Sequence, residues 1–393
     1  MKRDRAQRFQ RTTDTFVPGA KTLAQRYFVS PEILAEEQGK IFSNHWLLIG
    51  HQSQIPKPGD YFLVEVCGES VIVICSSRQQ MDSRVGGSPR ISGFYNVCRH
   101  RGTRLKEEAC GHVSTIQCPY HAWTYGLDGR LVGAPHMEEA EGFHRADYAL
   151  HSVNTGLFEG FIFVNLAVNP EPLAEWFAPL EGKFSHWNLP NLRSAKRIWY
   201  DVRANWKLIF ENYSECYHCP GVHPMLSKIS PYDSAENDLV EGPFLGGFMR
   251  INQGRSLTMS GNACALAVDY SEGRPQDDEE GARVFYYSIF PNMLLSLHPD
   301  YVMVHQVWPL APERSVICCD WLFHPEAFGT PAFNPEDAIA FWDLTNKQDW
   351  HVCELSQKGI GSRAYRPGPY TPRESIPAAW DQEYLNRMKP AAR

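Results

Sequence analysis

The chain has no apolar run that approaches a membrane span. Its longest apolar stretches, such as Val71–Cys75, have strand length, whereas a spanning helix needs about 18 or more such residues. Excess positive charge is also missing. With 38 Lys plus Arg against 45 Asp plus Glu the formal charge is −7, which excludes a nucleic-acid binder held by general basicity, because such binding works by displacing counterions from phosphates. The stretch from Met1 to Gln10 is basic, but no apolar segment follows it, and a secretory signal requires one. No internal repeat or heptad pattern is present. These absences predict a soluble, cytoplasmic protein that binds neither membrane nor nucleic acid.

What is present is the material of a folded core: 43% hydrophobic and 12% aromatic residues in a chain of 393, more than a disordered chain carries. At about 100–200 residues per domain, that length predicts two or three units. Cysteine is plentiful but odd in number, at 11. In a reducing compartment thiols serve as metal ligands or small buried hydrophobes, so no disulfide is expected.

Residues 1–26 are polar and basic and read as an arm. Ser30-Pro31-Glu32 supplies an N-cap and a first-turn proline for a helix over Ile33–Phe42. Alternating runs over Tyr61–Val66 and Ser70–Cys75, joined by Cys67-Gly68-Glu69, read as a hairpin and open a β-rich region that extends to Leu166. Residues 76–90 within it read as a polar surface loop. A linker is expected at Leu166–Glu171, followed by helical character over Leu173–Trp187. Then come a strand at Ala195–Asp201, a helix over Trp206–Tyr217, four strand-like runs between Val284 and Phe323, and a long helix over Pro335–Gln357. The predicted class is α+β: an arm and helix over 1–44, a β domain over 45–166 and an α+β domain over 167–393.

Two constellations carry chemistry. The first is Cys98-Arg-His100-Arg-Gly102 followed by Cys118-Pro-Tyr-His121-Ala-Trp123. A C-x-H and a C-x2-H pair at adjacent hairpin turns can converge four donors of two kinds. Such a set suits a structural zinc, or a 2Fe-2S cluster with two Cys on one iron and two His on the other. Cys110, His112 and His136 lie outside the pairs and read as surface or packing residues, and Cys67 and Cys75 as core. The second constellation is Glu215-Cys-Tyr-His218-Cys-Pro-Gly-Val-His223. Two imidazoles with a later carboxylate form the facial triad of a mononuclear iron(II) oxygenase, which keeps positions open for O2 and substrate.

The two Cys-His loops resemble the Rieske signature, and the second constellation resembles the E-x3-D/E-x2-H-x4-H pattern of Rieske non-heme iron oxygenases. From about Tyr27 to Glu383 the chain is similar to their α subunits. Glu-Asn-Tyr-Ser-Glu-Cys-Tyr-His-Cys-Pro-Gly-Val-His-Pro, together with Phe341–Trp350 and Tyr365–Tyr370, resembles the branch of glycine betaine, choline and carnitine monooxygenases and related N-demethylases. The resemblance implies an all-β Rieske domain of three antiparallel sheets and a helix-grip catalytic domain. It implies a 2Fe-2S cluster on Cys98, His100, Cys118 and His121, and a mononuclear iron on His218, His223 and Asp349, with Asp343 as the competing third ligand. An α3 trimer is implied, in which Glu215 relays electrons from a cluster histidine, His121, of the neighbouring subunit; the alternative for Glu215 is a solvated helix carboxylate. Electrons would come from NAD(P)H through a separate ferredoxin or flavin reductase, and O2-dependent hydroxylation of an N-methyl group would release formaldehyde. The substrate implied is a quaternary amine or an N-methyl aryl compound such as a phenylurea. An aromatic-ring dioxygenase and a zinc-stabilised, non-catalytic binding protein are the alternatives. Of the aromatic residues on the later strands, Phe244, Phe248, Phe285, Tyr286, Tyr287 and Phe290, most are expected in the core, because successive strand residues face opposite ways.

Overall fold

The computed structural model describes residues 9–78, 89–264 and 283–389, so most of the 76–90 loop lies outside the described residues. It divides into two units, Phe42–Asn191, and Met1–Ile41 with Leu192–Arg393. The division differs from the expected boundary at 166, because the segment beyond it stays with the β unit. Trp46 Nε1 donates to the Glu171 carbonyl at 2.9 Å, Gln52 Nε2 donates to the Pro190 carbonyl at 2.5 Å, and Phe177 stacks on Phe158 at 4.4 Å. The expected helix there is a single turn, Leu173–Trp176, followed by 3-10 turns at Ala178–Leu180 and Ser185–Trp187. Pro179 lacks the donor a longer helix needs, and Gly182 takes a positive φ of 70°.

In the β unit the alternating runs become strands Asp60–Val66 and Glu69–Arg78, paired antiparallel with Tyr61 opposite Ile74 and Val66 opposite Glu69. Cys67 and Gly68, with φ of 51° and 82°, make the two-residue turn whose twist suits a hairpin. These strands belong to a seven-stranded sheet ordered Leu47–His51, Phe161–Asn165, Ser152–Phe158, Pro89–Tyr95, Glu69–Arg78, Asp60–Val66 and Cys110–His112. A three-stranded sheet is formed by Ile116–Gln117, Thr124–Tyr125 and Leu131–Gly133. The described residues thus show two sheets where three were expected. Ser152–Phe158 joins what would be separate sheets, pairing through Ser152 and Val153 with Phe94 and Gly93, and from Asn154 onward with Phe161–Asn165. Ile72, Ile74, Phe94, Trp123 and Tyr125 form the core beneath the Cys-His loops.

The second unit is built on an eight-stranded antiparallel sheet. Its order is Gln10–Arg11, Glu236–Leu239, Phe244–Arg250, Arg283–Ile289, Met293–Leu297, Val302–Ala311, Arg314–Phe323 and Arg193–Val202. The arm contributes a strand to this sheet: Gln10 pairs with Asn237 and Arg11 with Glu236. The long helix Pro335–Ile360 buries Ala338, Phe341, Trp342, Thr345, Asn346, Trp350, Cys353 and Gln357, a stripe at helical spacing. It is pinned to the sheet where Tyr200 donates to Asp343 at 2.8 Å and Asn346 meets His305 at 3.3 Å.

The helix expected to run through Tyr217 ends at Tyr213. Glu215 explains the stop, since its carboxylate accepts the backbone N–H groups of Tyr217 and His218, as an N-cap does for a new turn. The remaining helix, Trp206–Tyr213, begins at Asn205, whose side chain accepts from the Lys207 N–H at 3.0 Å. Lys207 is fully buried, donating to Glu37 Oε1 at 2.6 Å. Trp206 Nε1 and the Tyr384 hydroxyl also donate to Glu37, at 2.8 and 2.6 Å. Removing one partner of a buried ion pair strands the other charge, which costs about 3–5 kcal/mol, while replacing both with apolar groups is often near neutral. Lys207→Ala is therefore expected to lower stability by about that amount in urea unfolding followed by tryptophan fluorescence. Pairing Lys207→Met with Glu37→Leu should recover most of it. A double variant no better than the single would show that the loss is one of packing and not of charge.

Candidate functional site

The two Cys-His loops share one backbone design. In each, the cysteine N–H donates to the carbonyl five residues on, Cys98 to Thr103 and Cys118 to Trp123, both at 2.8 Å. The residue four beyond each cysteine donates back to it, Gly102 at 3.0 Å and Ala122 at 3.2 Å. Those residues have positive φ, 76° and 57°, a conformation glycine adopts freely and alanine only at some cost. Cys98 and Cys118 are each 3% exposed, whereas His100 is exposed and His121 is partly so. The imidazole centroids lie 4.8 Å apart, and His100 stacks on Trp123 at 4.8 Å. All four residues predicted for the cluster are thus brought together, with sulfurs inside and imidazoles outside. Burial raises the Cys98 thiol, against hydrogen bonds that favour its thiolate. The Tyr125 hydroxyl lies 3.3 Å from Cys98 Sγ and accepts the Arg99 N–H at 3.0 Å, so its own proton is free to point at the sulfur. Tyr125 was not singled out by the sequence reading, and only its place just after the second loop marks it.

The second site gathers His218, His223 and Asp349. Asp349 Oδ1 lies 3.2 Å from His218 Nε2 and 2.8 Å from His223 Nε2. The opposite ring nitrogens are held by acceptors: His218 Nδ1 donates to Glu215 Oε1 at 2.5 Å and His223 Nδ1 to Gln348 Oε1 at 2.8 Å. With Nδ1 of each ring donating outward, both Nε2 atoms face the same carboxylate oxygen. Three electron-rich atoms this close require a positive charge among them. Burial opposes a charge on His218, but its bonds to Asp349 and Glu215 prevail and push the imidazole up to about 10. Asp349 is likewise held below the ordinary carboxylate value, its burial outweighed by the two imidazoles. Such a donor set fits a divalent metal in place of the proton.

Asp343, the competing carboxylate, is engaged elsewhere, accepting from Tyr200 and from Lys347 at 2.6 Å. The Glu215 side chain is only 11% exposed, so it is not a solvated helix carboxylate. One expectation is corrected nearby: Cys216 and Cys219 are joined in a disulfide, their Cα atoms 4.9 Å apart across a tight turn, within the span a disulfide bridges. Gln348 was missed, and nothing in its sequence context distinguishes it. A cavity of about 530 Å³ opens on this site, lined among others by Tyr213, Phe248, Tyr286, Trp342 and Arg250. Phe248 is already covered by Arg283, whose guanidinium lies 4.2 Å from the ring centroid.

Residues 189–389 match the ring hydroxylating alpha subunit (catalytic domain), and residues 45–152 match the Rieske [2Fe-2S] domain. The chain belongs to the Rieske non-heme iron oxygenases, as an oxygenase α subunit whose cofactors are a 2Fe-2S cluster and a mononuclear iron. It is 31% identical over 389 residues to the glycine betaine monooxygenase oxygenase subunit of Chromohalobacter salexigens, covering 90% of this chain and 82% of that one. To the carnitine monooxygenase oxygenase subunit of Escherichia coli K12 it is 27% identical over 359 residues, with 88% and 86% covered. The fold is shared with a quaternary ammonium Rieske monooxygenase, at a TM-score of 0.76 and 24% identity over 96% of this chain and 98% of that one. It is shared equally with naphthalene 1,2-dioxygenase from Rhodococcus sp., at 0.74 and 19%, with 93% and 94% covered. Fold alone therefore does not separate amine from ring oxidation.

Losing an outer partner of a ligating histidine costs about 10–100-fold in metal affinity, and Gln348→Ala is expected to weaken iron binding by such a factor in chelator competition. An unchanged affinity would show that the His223 ring is oriented by its packing alone.

Proposed function

We propose that this chain is the terminal oxygenase of a multicomponent monooxygenase that hydroxylates an N-methyl group of a small quaternary ammonium compound, releasing formaldehyde. The observation that carries the reading is the cavity wall. Tyr286 and Trp342 border the space that opens on His218, His223 and Asp349, their rings 6.5 Å apart at 67°. Aromatic faces hold quaternary ammonium groups, for about 0.5–2 kcal/mol each. Phe248, occupied by arginine, is not counted among them. The names of the sequence relatives, monooxygenases of glycine betaine, carnitine and choline, support the same substrate class. An N-methyl aryl compound is the second reading, since flat rings also pack between a tyrosine and a tryptophan.

In this reading Cys98, His100, Cys118 and His121 hold the 2Fe-2S cluster, and His218, His223 and Asp349 hold the iron. The bound cofactors supply one-electron transfer and O2 activation. The protein's part is positional. Glu215 and Gln348 keep both Nε2 atoms turned to the metal, and the cavity holds the methyl group close to the reacting centre. Glu215 relays electrons arriving from His121 of a neighbouring subunit in an α3 assembly, and a separate reductase supplies them from NAD(P)H.

Formaldehyde release under a surrogate reductase, screened over choline, betaines, carnitine and N-methyl aryl compounds, tests the function. A cis-diol product carrying both atoms of labelled O2 would refute it in favour of ring dioxygenation. Tyr286→Leu is expected to raise KM for a quaternary amine about 3–30-fold, the equivalent of a cation–π contact, and to leave kcat little changed. An equal effect on a neutral isostere would assign the residue to shape and not to charge. His218→Ala is expected to abolish mononuclear iron and turnover while the visible spectrum of the cluster persists, and Glu215→Gln to retain iron but slow single-turnover electron transfer. Loss of the cluster spectrum in His218→Ala would mean that the two cofactor sites are wrongly assigned.

A further inference from the structure

Between Glu215 and His223 the chain holds two groups that the proposed reaction does not use. Cys216 and Cys219 bracket His218, and their sulfurs are joined. Cys219 is 2% exposed, and its Sγ lies 3.9 Å from His218 Nε2. Ligand atoms of His218, Cys219 and His223 all lie within 4.8 Å of one another, close enough to share one ion. Cys216, by contrast, is partly exposed and borders the cavity.

A sulfur within a disulfide has no thiolate to offer, whereas the same sulfur set free is a soft, anionic ligand. It lies beside His218 and His223, and with Asp349, which sits against both imidazoles, it brings the donors available to four. Such a set is closed and tetrahedral, and it suits zinc. An oxygenase iron needs three protein ligands with positions left open. The two states of one cysteine pair therefore correspond to two different metal preferences.

We propose that the Cys216–Cys219 disulfide controls which metal the site accepts. Closed, it leaves His218, His223 and Asp349 as the donors for iron. Opened, it releases Cys219 as a fourth ligand, and the site takes zinc and loses its open positions. The inference rests on the reading of those three residues as metal ligands.

Opening is a thiol–disulfide exchange with a low-molecular-weight thiol. One thiolate attacks the accessible Cys216 sulfur, the Cys216–Cys219 bond breaks, and Cys219 leaves as thiolate. A second thiol resolves the mixed disulfide on Cys216. The cysteine pair has then gained two electrons and two protons, and the two small thiols leave oxidised as one disulfide. Closure is the reverse, with that small disulfide as oxidant.

The test uses the full-length protein with its 2Fe-2S cluster in place and the mononuclear site emptied by chelator. Alkylation and mass analysis of the peptide carrying both cysteines is expected to find them joined in air-oxidised wild type. Cobalt(II), a spectroscopic substitute for zinc, is then added to wild type and to Cys216→Ser, which frees Cys219 without a reductant. A sulfur-to-cobalt charge-transfer band is expected in Cys216→Ser, and no such band in oxidised wild type or in Cys219→Ser. Outer-sphere partners alone are worth about 10–100-fold in metal affinity, so Cys216→Ser is expected to bind zinc at least about tenfold more tightly than oxidised wild type. Cys216→Ala provides a second form with a free Cys219, and circular dichroism identifies which of the variants are folded. One bound cobalt without a sulfur band in the folded variants overturns the proposal and leaves the iron ligands intact, as does wild type with both cysteines alkylated. Failure of every form to bind cobalt or iron overturns the ligand assignment itself, and the proposal with it.

Discussion

Two imidazole nitrogens and a carboxylate oxygen are held 2.8 and 3.2 Å apart, an arrangement that needs a positive charge, a proton or a metal cation, among them. Much of the second unit serves this one costly arrangement. The helix Trp206–Tyr213 must stop so that Glu215 can turn back and hold His218. The long helix Pro335–Ile360 must be fixed against the sheet so that Asp349 and Gln348, adjacent on it, meet different histidine atoms. Tyr200 and His305 provide that fixation from two strands. The surrounding apolar core includes Trp206, Phe210 and Trp380, all fully buried.

A second buried polar system involves the helix Trp206–Tyr213. Glu211 Oε1 and Asp381 Oδ1 are buried and receive no donor from another residue, and the two carboxyls lie against each other. One proton shared between them satisfies both, as for any pair of carboxyls that cannot both ionise. Burial raises both groups, Asp381 to about 7. Together with Lys207 and Glu37 they give the helices Pro31–Glu37, Trp206–Tyr213 and Ser375–Met388 a common polar seam. Each polar group in it is matched by another from a different helix.

Legibility from sequence followed the range of each interaction. The Cys-His loops could be read because all their donors lie within a few residues of a turn. Glu215, His218 and His223 were legible for the same reason. Asp349 was not legible from spacing, since its partner His223 is more than a hundred residues away, and only the family resemblance pointed to it over Asp343. Gln348, Tyr125 and Glu37 act through hydrogen bonds to residues distant in sequence, which leave no periodic trace. The helix through Tyr217 failed because a carboxylate that caps backbone N–H groups looks, in sequence, like any helical glutamate. The boundary at 166 failed because Pro and Asn mark a turn well, yet say nothing about which unit the chain packs against afterwards.

The Glu37–Lys207 pair joins residues that belong to one unit but flank the whole β unit in sequence, and this bears on the order in which the chain matures. During synthesis Glu37 is made long before its lysine, and loop closure over so many residues carries an entropic cost. Within the β unit His51 Nε2 lies 3.1 Å from the Leu189 carbonyl and Gln52 reaches Pro190, so folding that unit first brings its own two ends together. The long excursion then counts as a short one. A lesion in the early strands of the β unit would therefore lengthen the loop that the Glu37–Lys207 pair has to close.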